Sequence, residues 1–394
     1  MNESVSTSTQ NPWYNDLSIE ARDNMGIIHE YFDLEFTKGI IKKVINHLSE
    51  YYFRPRFIGF ENMPSRNNPD VPLIFASNHS GMAFPWDGII LAAGVYEMFN
   101  YGPDSFRPLA SPMLSESILM NPYLHENLWK IVGSVDASFL NFETMMLQNE
   151  HNLLIYPEGV PGIGKGFNKR YQFQRFSSSF ITMSIKYKTD IVPVLTINGE
   201  YINPFAYRSG WANRIVNKIG VPFFPVGFVS LFLPLQPWIF YMGFPAKLTY
   251  VLGKAIKPYE MTDKSLNELS YEELVSIKEA VRADMQAQLS DAVKKYGKNP
   301  YHIREFVGKT VRNIGRFPYT MPIGWPLLFA YFNILWKKNK IDEKPLKLGF
   351  LSTLKIIFLS PKQLLFYLPV IGWIPLLIRG IRKRPKHQPS QKGR

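Results

Sequence analysis

The 394-residue sequence predicts an α/β layer structure, on three observations. Two short apolar runs, Leu73–Ala76 and Leu153–Ile155, each end in a polar turn containing Gly or Pro. That is how a buried strand empties into a loop. Strand-like and helix-like runs alternate through the middle of the chain, a pattern that builds a sheet covered by helices.

In chain order, residues 1–11 are rich in Ser, Thr and Asn and carry neither the basic flank nor the apolar stretch of a signal peptide. They read as a polar lead. From about Ser18 to Tyr52 the pattern is helical, with Ile40, Ile41, Val44, Ile45 and Leu48 on one stripe. This is either a helix packed on the core or an amphipathic membrane contact. Strands are expected near 56–60, 72–77, 131–135, 152–156, 191–197 and 247–251, and helices near 87–99, 141–150 and 172–186. The segment 219–246 has no charged residue, which is enough length for the roughly 20 residues of a membrane span. Five prolines interrupt it, so broken helices at an interface, or a buried excursion of the core, fit better than a straight helix. Ser270 and Glu273 form a capping box for a helix whose apolar stripe runs from Leu274 to Val293, with Gly297 at its end.

Near the C-terminus, 322–336 and 363–378 are uncharged and aromatic, and each is followed by cations. They read as interfacial anchors, with Trp325, Phe329, Trp336, Phe366, Tyr367 and Trp373 at headgroup depth and the basic residues between Arg379 and Lys386 on anionic lipid. The competing reading is a helical subdomain packed on the rest. The expected division is a polar lead and helix (1–52), an α/β domain (53–260) and a helical C-terminal region (261–394).

Composition narrows the function classes. The chain is 46% hydrophobic and carries a net charge of +13, so it has material for a large core and an anionic partner. An anionic lipid surface is favoured over nucleic acid, because the cations flank aromatic-apolar runs and no nucleic-acid motif is present. With no cysteine, a disulfide framework, a thiolate nucleophile and thiolate metal ligands are excluded. The seven histidines show no metal-ligand spacing.

The chemistry-bearing motifs follow the two apolar runs. The first is Ser77-Asn78-His79-Ser80-Gly81, followed by Asp87; the second is Tyr156-Pro157-Glu158-Gly159, followed by Gly162, Gly164 and Lys165. Open α/β sheets place their chemistry at such strand ends. A third stretch, Ile191-Val192-Pro193-Val194, is an apolar strand containing Val-Pro. In order and spacing these blocks resemble the glycerolipid acyltransferase superfamily, which includes the lysophosphatidic acid acyltransferases. The resemblance covers roughly 53–257. It departs from the family pattern in three places. Seven residues, Pro85 among them, separate His79 from Asp87 where four are usual. Val160 and Pro161 follow Gly159 where an Arg usually comes two residues on. Gly133 is followed by residues 134–141 without the usual Arg.

The resemblance implies a mixed sheet flanked by helices, with membrane-associated helical extensions. It implies an O-acyltransferase taking a fatty acyl group from acyl-CoA or acyl-carrier protein to a lipid hydroxyl, with no cofactor, at the cytoplasmic face of a membrane. His79 would be the general base and Asp87 the group that orients it; at the start of the next helix Asp87 also reads as an N-cap, and the two roles can coexist. Asn78, Glu158, Gly159, Lys165, Arg170 and Arg175 would bind substrate, although the basic loop also reads as simply solvated. The missing arginines point to the monoacylglycerol and diacylglycerol acyltransferase-like branch, whose acceptor need not carry a phosphate. Two other classes stand beside this one. A lipid hydrolase would need a nucleophile elbow, and no Gly-x-Ser-x-Gly occurs. An inert membrane-binding homologue would keep the fold without turnover.

Overall fold

The computed structural model describes residues 14–218, 221, 223–341, 346 and 348–382. Seven strands make the central sheet: β1 (Arg56–Ile58), β2 (Ile74–Ser77), β3 (Phe106–Ala110), β4 (Val135–Asp136), β5 (Asn152–Ile155), β6 (Ile191–Ile197) and β9 (Thr249–Leu252). Between β6 and β9 a two-stranded ribbon pairs β7 (Tyr207–Arg208) with β8 (Pro225–Val226). The sheet order is β1-β9-β6-β2-β5-β3-β4, parallel throughout except where β6 meets β9.

The sheet is covered on both faces, so β2, β5 and β6 are buried along their whole length and read as continuous apolar runs rather than alternating ones. Alternate residues still serve different cores. Phe75, Leu154, Val192 and Val194 point to one face; Ile74, Ala76, Leu153, Ile155 and Ile191 point to the other. The first face is covered by the helical segment 34–53, the helix Trp86–Met98 and the helix Trp325–Lys337. The second is covered by Phe139–Met146, Ser179–Tyr187 and the long helix Tyr271–Tyr296. That long helix starts at the Ser270–Glu273 capping box, with both reciprocal bonds formed, and buries Leu274, Ile277, Val281, Met285 and Leu289.

Several expectations need correction. β3 escapes the sequence pattern because Arg107 and Pro108 interrupt it. Arg107 is nonetheless buried, donating from Nε to the Gly133 carbonyl (2.6 Å) and from Nη2 to the Ile28 carbonyl (2.7 Å). The strand expected at 131–135 is a helical turn, Leu128–Ile131, entered through the left-handed Asn127, and only Val135–Asp136 is extended. The helix expected from 172 starts at Ser179. The helical pattern of 18–52 is broken: a short helix Ser18–Asp23 precedes the segment 34–53, which contains two wide π turns.

The largest correction concerns the C-terminal aromatics. Trp325, Phe329 and Phe366 are at most 3% exposed. Trp325 packs edge-on against Trp86, ring centroids 5.1 Å apart, directly under the helix that carries Asp87. These rings are core, not headgroup anchors; Trp336, Tyr367 and Trp373 are half-buried. Among the described residues no helix is long and apolar enough to cross a membrane. The polar lead 1–11 and the basic residues Lys383, Arg384 and Lys386 lie outside the described residues.

Trp325→Ala is therefore expected to destabilise the fold by about 3–5 kcal/mol, the usual cost of deleting a buried ring. Denaturant unfolding checks this. A loss below about 1 kcal/mol would return Trp325 to the surface.

Candidate functional site

β2, β5 and β6 are parallel neighbours, with Ala76 paired to Ile155 and Ser77 to Val194. Their C-terminal ends therefore share one edge, and three loops leave that edge together: 78–85, 156–158 and 198–203. The first two carry the motifs singled out in the sequence. The third, Asn198-Gly199-Glu200, follows the same rule of a polar Gly turn after a buried strand, and sequence reasoning passed over it.

Asn78 clips the first loop to β6. Its side-chain amide donates to the Thr196 carbonyl and accepts from the Thr196 N–H, both at 2.8 Å. Those two bonds extend the sheet pairing by one residue. They also turn Asn78 inward, fully buried, into a positioning role rather than a substrate contact. The third loop comes very close: a Cβ at Gly199 would stand 2.8 Å from the Ser80 Cβ, so this position needs glycine.

His79 follows. Its ring stacks on Tyr156, centroids 4.1 Å apart and planes 14° from parallel. Its main-chain N–H donates to Glu158 Oε1 at 3.3 Å. Burial, then the nearby Lys165 ammonium, holds the imidazole down to about 3, so it is neutral at physiological pH. Asp87 sits in the first turn of the helix Trp86–Met98 and is 1% exposed. Its Oδ2 accepts from the Ser80 N–H at 3.1 Å, and its carbonyl accepts from the Tyr250 hydroxyl at 2.7 Å. Burial raises its carboxyl to about 6, against hydrogen bonds that favour the anion. His79 Nδ1 and Asp87 Oδ1 are both buried and both without a hydrogen-bond partner. The longer interval is thus accommodated by a wide loop that returns Asp87 to the residue after His79, although the ring and the carboxylate are not hydrogen-bonded to each other.

Both side chains line a cavity of about 370 Å³. The rest of its wall is overwhelmingly apolar and includes Ile40, Ile41, Ile89, Leu114, Trp129 and Val132. The volume lies within the roughly 300–1,000 Å³ usual for ligand sites. Ile40, Ile41 and Ile45 of the N-terminal helical stripe thus pack on the core and also form the cavity wall.

The remaining motif residues separate into two groups. Lys165 is buried as an ion-pair partner: its Nζ lies 3.3 Å from Glu200 Oε1 and 4.0 Å from Glu158 Oε1. Glu158 Oε2 also accepts from the Gln174 N–H at 2.6 Å, and Glu200 Oε1 accepts from the Tyr171 N–H at 2.8 Å. Burial pushes the Glu158 carboxyl upward, while Lys165 and the amides of Gln174 and His79 oppose it. Lys165 and Glu158 are therefore braces that tie the three loops together, not solvated phosphate ligands. Arg170 and Arg175 are exposed. Arg170 lies over the Phe167 ring, whereas Arg175 borders a second, open depression of about 580 Å³. Tyr156 and the exposed Gly159 line both spaces, so the motif at the end of β5 is the partition between the apolar cavity and an open groove that carries Arg175, Ser177 and Ser179 among apolar side chains. Among the described residues no cluster of His, Asp and Glu has the arrangement of a metal site.

Replacing Lys165 by Met leaves two buried carboxylates without their counter-ion. A loss of about 3–5 kcal/mol is expected, while Arg170→Ala and Arg175→Ala stay within roughly 0.5 kcal/mol. Thermal unfolding of the three variants checks the division; equal, small losses would return Lys165 to the solvated loop.

No protein-family model matches the chain. Uncharacterized proteins of Mycobacterium bovis and Mycobacterium tuberculosis are 26% identical over 262 residues, 66% of this chain and 68% of theirs. One from Mycobacterium leprae is 26% identical over the same length. Among solved structures, the 1-acyl-sn-glycerophosphate acyltransferase PlsC of Thermotoga maritima aligns over 73% of this chain and 86% of its own. The alignment has 12% identity and a TM-score of 0.34.

Proposed function

We propose that this chain is an O-acyltransferase that moves a fatty acyl group from a thioester donor to the hydroxyl of a glycerolipid. The observation that carries this reading is a neutral imidazole, His79, at a strand end, on the wall of an apolar cavity that also receives Asp87. An apolar cavity suits an acyl chain, and a neutral imidazole is the form that accepts a proton. In the reaction His79 takes the proton of the acceptor hydroxyl as that oxygen bonds to the thioester carbonyl carbon. The carbon–sulfur bond then breaks, and the departing thiolate takes the proton from the imidazolium. No acyl-enzyme is required. A hydrogen bond from Nδ1–H to Asp87 Oδ1 would fix the tautomer that leaves Nε2 as base, and both of those atoms are otherwise without partners. The open groove beside Arg175 and Gly159 is available for the polar part of a substrate.

His79→Ala should keep the fold and lower kcat/KM by about 10²–10⁴-fold, measured with labelled acyl-CoA against lyso-lipids, monoacylglycerol, diacylglycerol and fatty alcohols. A folded variant with near-full turnover would refute the assignment.

Asp87 supplies the pH dependence. Only its anion can hold the Nδ1 proton, and burial raises it to about 6. Hence kcat/KM should rise as pH increases through about 6, an apparent value belonging to the His79–Asp87 pair. Asp87→Asn should remove that inflection and lower kcat more than it raises KM. A wild-type profile flat from pH 5 to 8, or an inflection retained in Asp87→Asn, counts against the dyad.

The acceptor is expected to need no phosphate. Val160 and Pro161 stand where the resembled family offers an Arg, and Lys165 is occupied by Glu158 and Glu200. Acceptors lacking a phosphate should be used at least as well as lysophosphatidic acid in the same assay. Strict selectivity for lysophosphatidic acid would instead make Arg170 or Arg175 its ligand.

A further inference from the structure

Two sets of exposed apolar side chains stand out. One set lies on the ribbon and short helices between β6 and β9: Phe205, Trp211, Phe228 and Leu231, of which Trp211 is 73% and Leu231 71% exposed. A second lies on the C-terminal helices and includes Leu351, Phe358 and Ile371, with Leu351 80% and Phe358 84% exposed. Single exposed apolar residues are ordinary; a concentration of this size marks a contact surface.

The two sets belong to one connected layer. The Phe224 N–H donates to Asn213 Oδ1 at 2.8 Å, joining the helix Gly210–Asn217 to β8. The Trp373 indole donates to the Leu233 carbonyl at 2.8 Å, joining the C-terminal helix Trp373–Arg382 to the helix Phe228–Phe232 and the turn after it. The helix Phe350–Leu359 packs against the turn Pro361–Tyr367, which packs in turn against Trp373–Arg382, while Tyr319 Oη and Thr353 Oγ1, 2.8 Å apart, tie Phe350–Leu359 to the core. The layer also reaches the candidate site. Ile163, on the cavity wall, packs with Met82, Ala206 and Phe223, and the Phe167 N–H donates to the Ala206 carbonyl at 2.8 Å.

Charge selects the partner. Residues 201–259 and 344–394 contain no Asp and no Glu. Arg208, Arg214, Lys355, Lys362 and Arg379 are exposed among the apolar side chains. A surface of one sign repels a second copy of itself and attracts an anionic one. We infer that this layer, formed by 205–218 and 223–235 with 350–379, is the face by which the protein lies on an anionic lipid surface without spanning it. The apolar side chains enter the interface, the cations meet lipid headgroups, and the loops of the candidate site stand at the edge of the contact. This face keeps the 363–378 segment of the anchor read from the sequence but not 322–336, and Trp325, Phe329 and Phe366 are in the core rather than at the surface.

Co-sedimentation of the full chain with vesicles of phosphatidylcholine and phosphatidylglycerol tests the inference. Trp211→Ser with Leu231→Ser, and separately Leu351→Ser with Phe358→Ser, should each weaken binding by about tenfold or more with unchanged unfolding curves. Phosphatidylcholine alone should bind at least about tenfold more weakly than the anionic mixture at low salt. His79→Ala should bind vesicles as the wild type does, which separates this contact from the catalytic assignment. Wild-type binding by both double variants would overturn the inference. So would a wild-type oligomer that ignores vesicles and becomes monomeric in those variants, because the layer would then be an interface between copies.

Discussion

Two carboxylates and one ammonium, Glu158, Glu200 and Lys165, are buried together where three parallel strands end. Charged groups taken out of water persist only when paired and hydrogen-bonded. Here the pairing draws on three separate loops, and the amides of His79, Gln174 and Tyr171 complete it. The cluster therefore acts as a constraint on position. Each loop is fixed by groups belonging to another, and the backbone of His79 is held by the motif at the end of the neighbouring strand. Asn78 adds a second constraint by continuing the sheet into the loop.

The environment of His79 follows from that arrangement. The ring is pressed against Tyr156 and bounded by apolar residues, so its charged form is disfavoured; the Lys165 ammonium acts in the same direction. Asp87 is displaced oppositely by the same burial. One low-polarity space thus keeps the imidazole neutral and makes the carboxyl ionise late. The cavity is dry-walled because the N-terminal helical stripe and the Trp86–Met98 helix both turn their aliphatic side chains into it.

The outer surface has its own logic. Two sets of apolar side chains that the core does not take up lie on segments devoid of acid, while acidic residues sit elsewhere, for example on the long helix Tyr271–Tyr296. That helix covers the second face of the sheet and has no part in the cavity. The two faces of the sheet thus divide the work: one is closed by a solvated amphipathic helix, the other by aromatic helices continuous with the exposed apolar layer.

Sequence alone determined the strands that carry the motifs, because β2, β5 and β6 are buried on both faces and must be continuously apolar. It also determined the helix after Ser270, whose cap and stripe are local features. The placement of His79 and Glu158 at strand ends followed from the same patterns. What only tertiary structure decided was who meets whom. Nothing local tells Lys165 apart from Arg170; burial beside Glu200, a residue thirty-five positions on, makes one a brace and leaves the other at the surface. β3 was hidden because its Arg107 is satisfied by carbonyls distant in sequence. An uncharged aromatic run reads identically whether it faces lipid or core. Trp325 is core because Trp86, Phe53 and Tyr52 happen to surround it, and that is a property of chain packing which hydropathy cannot encode.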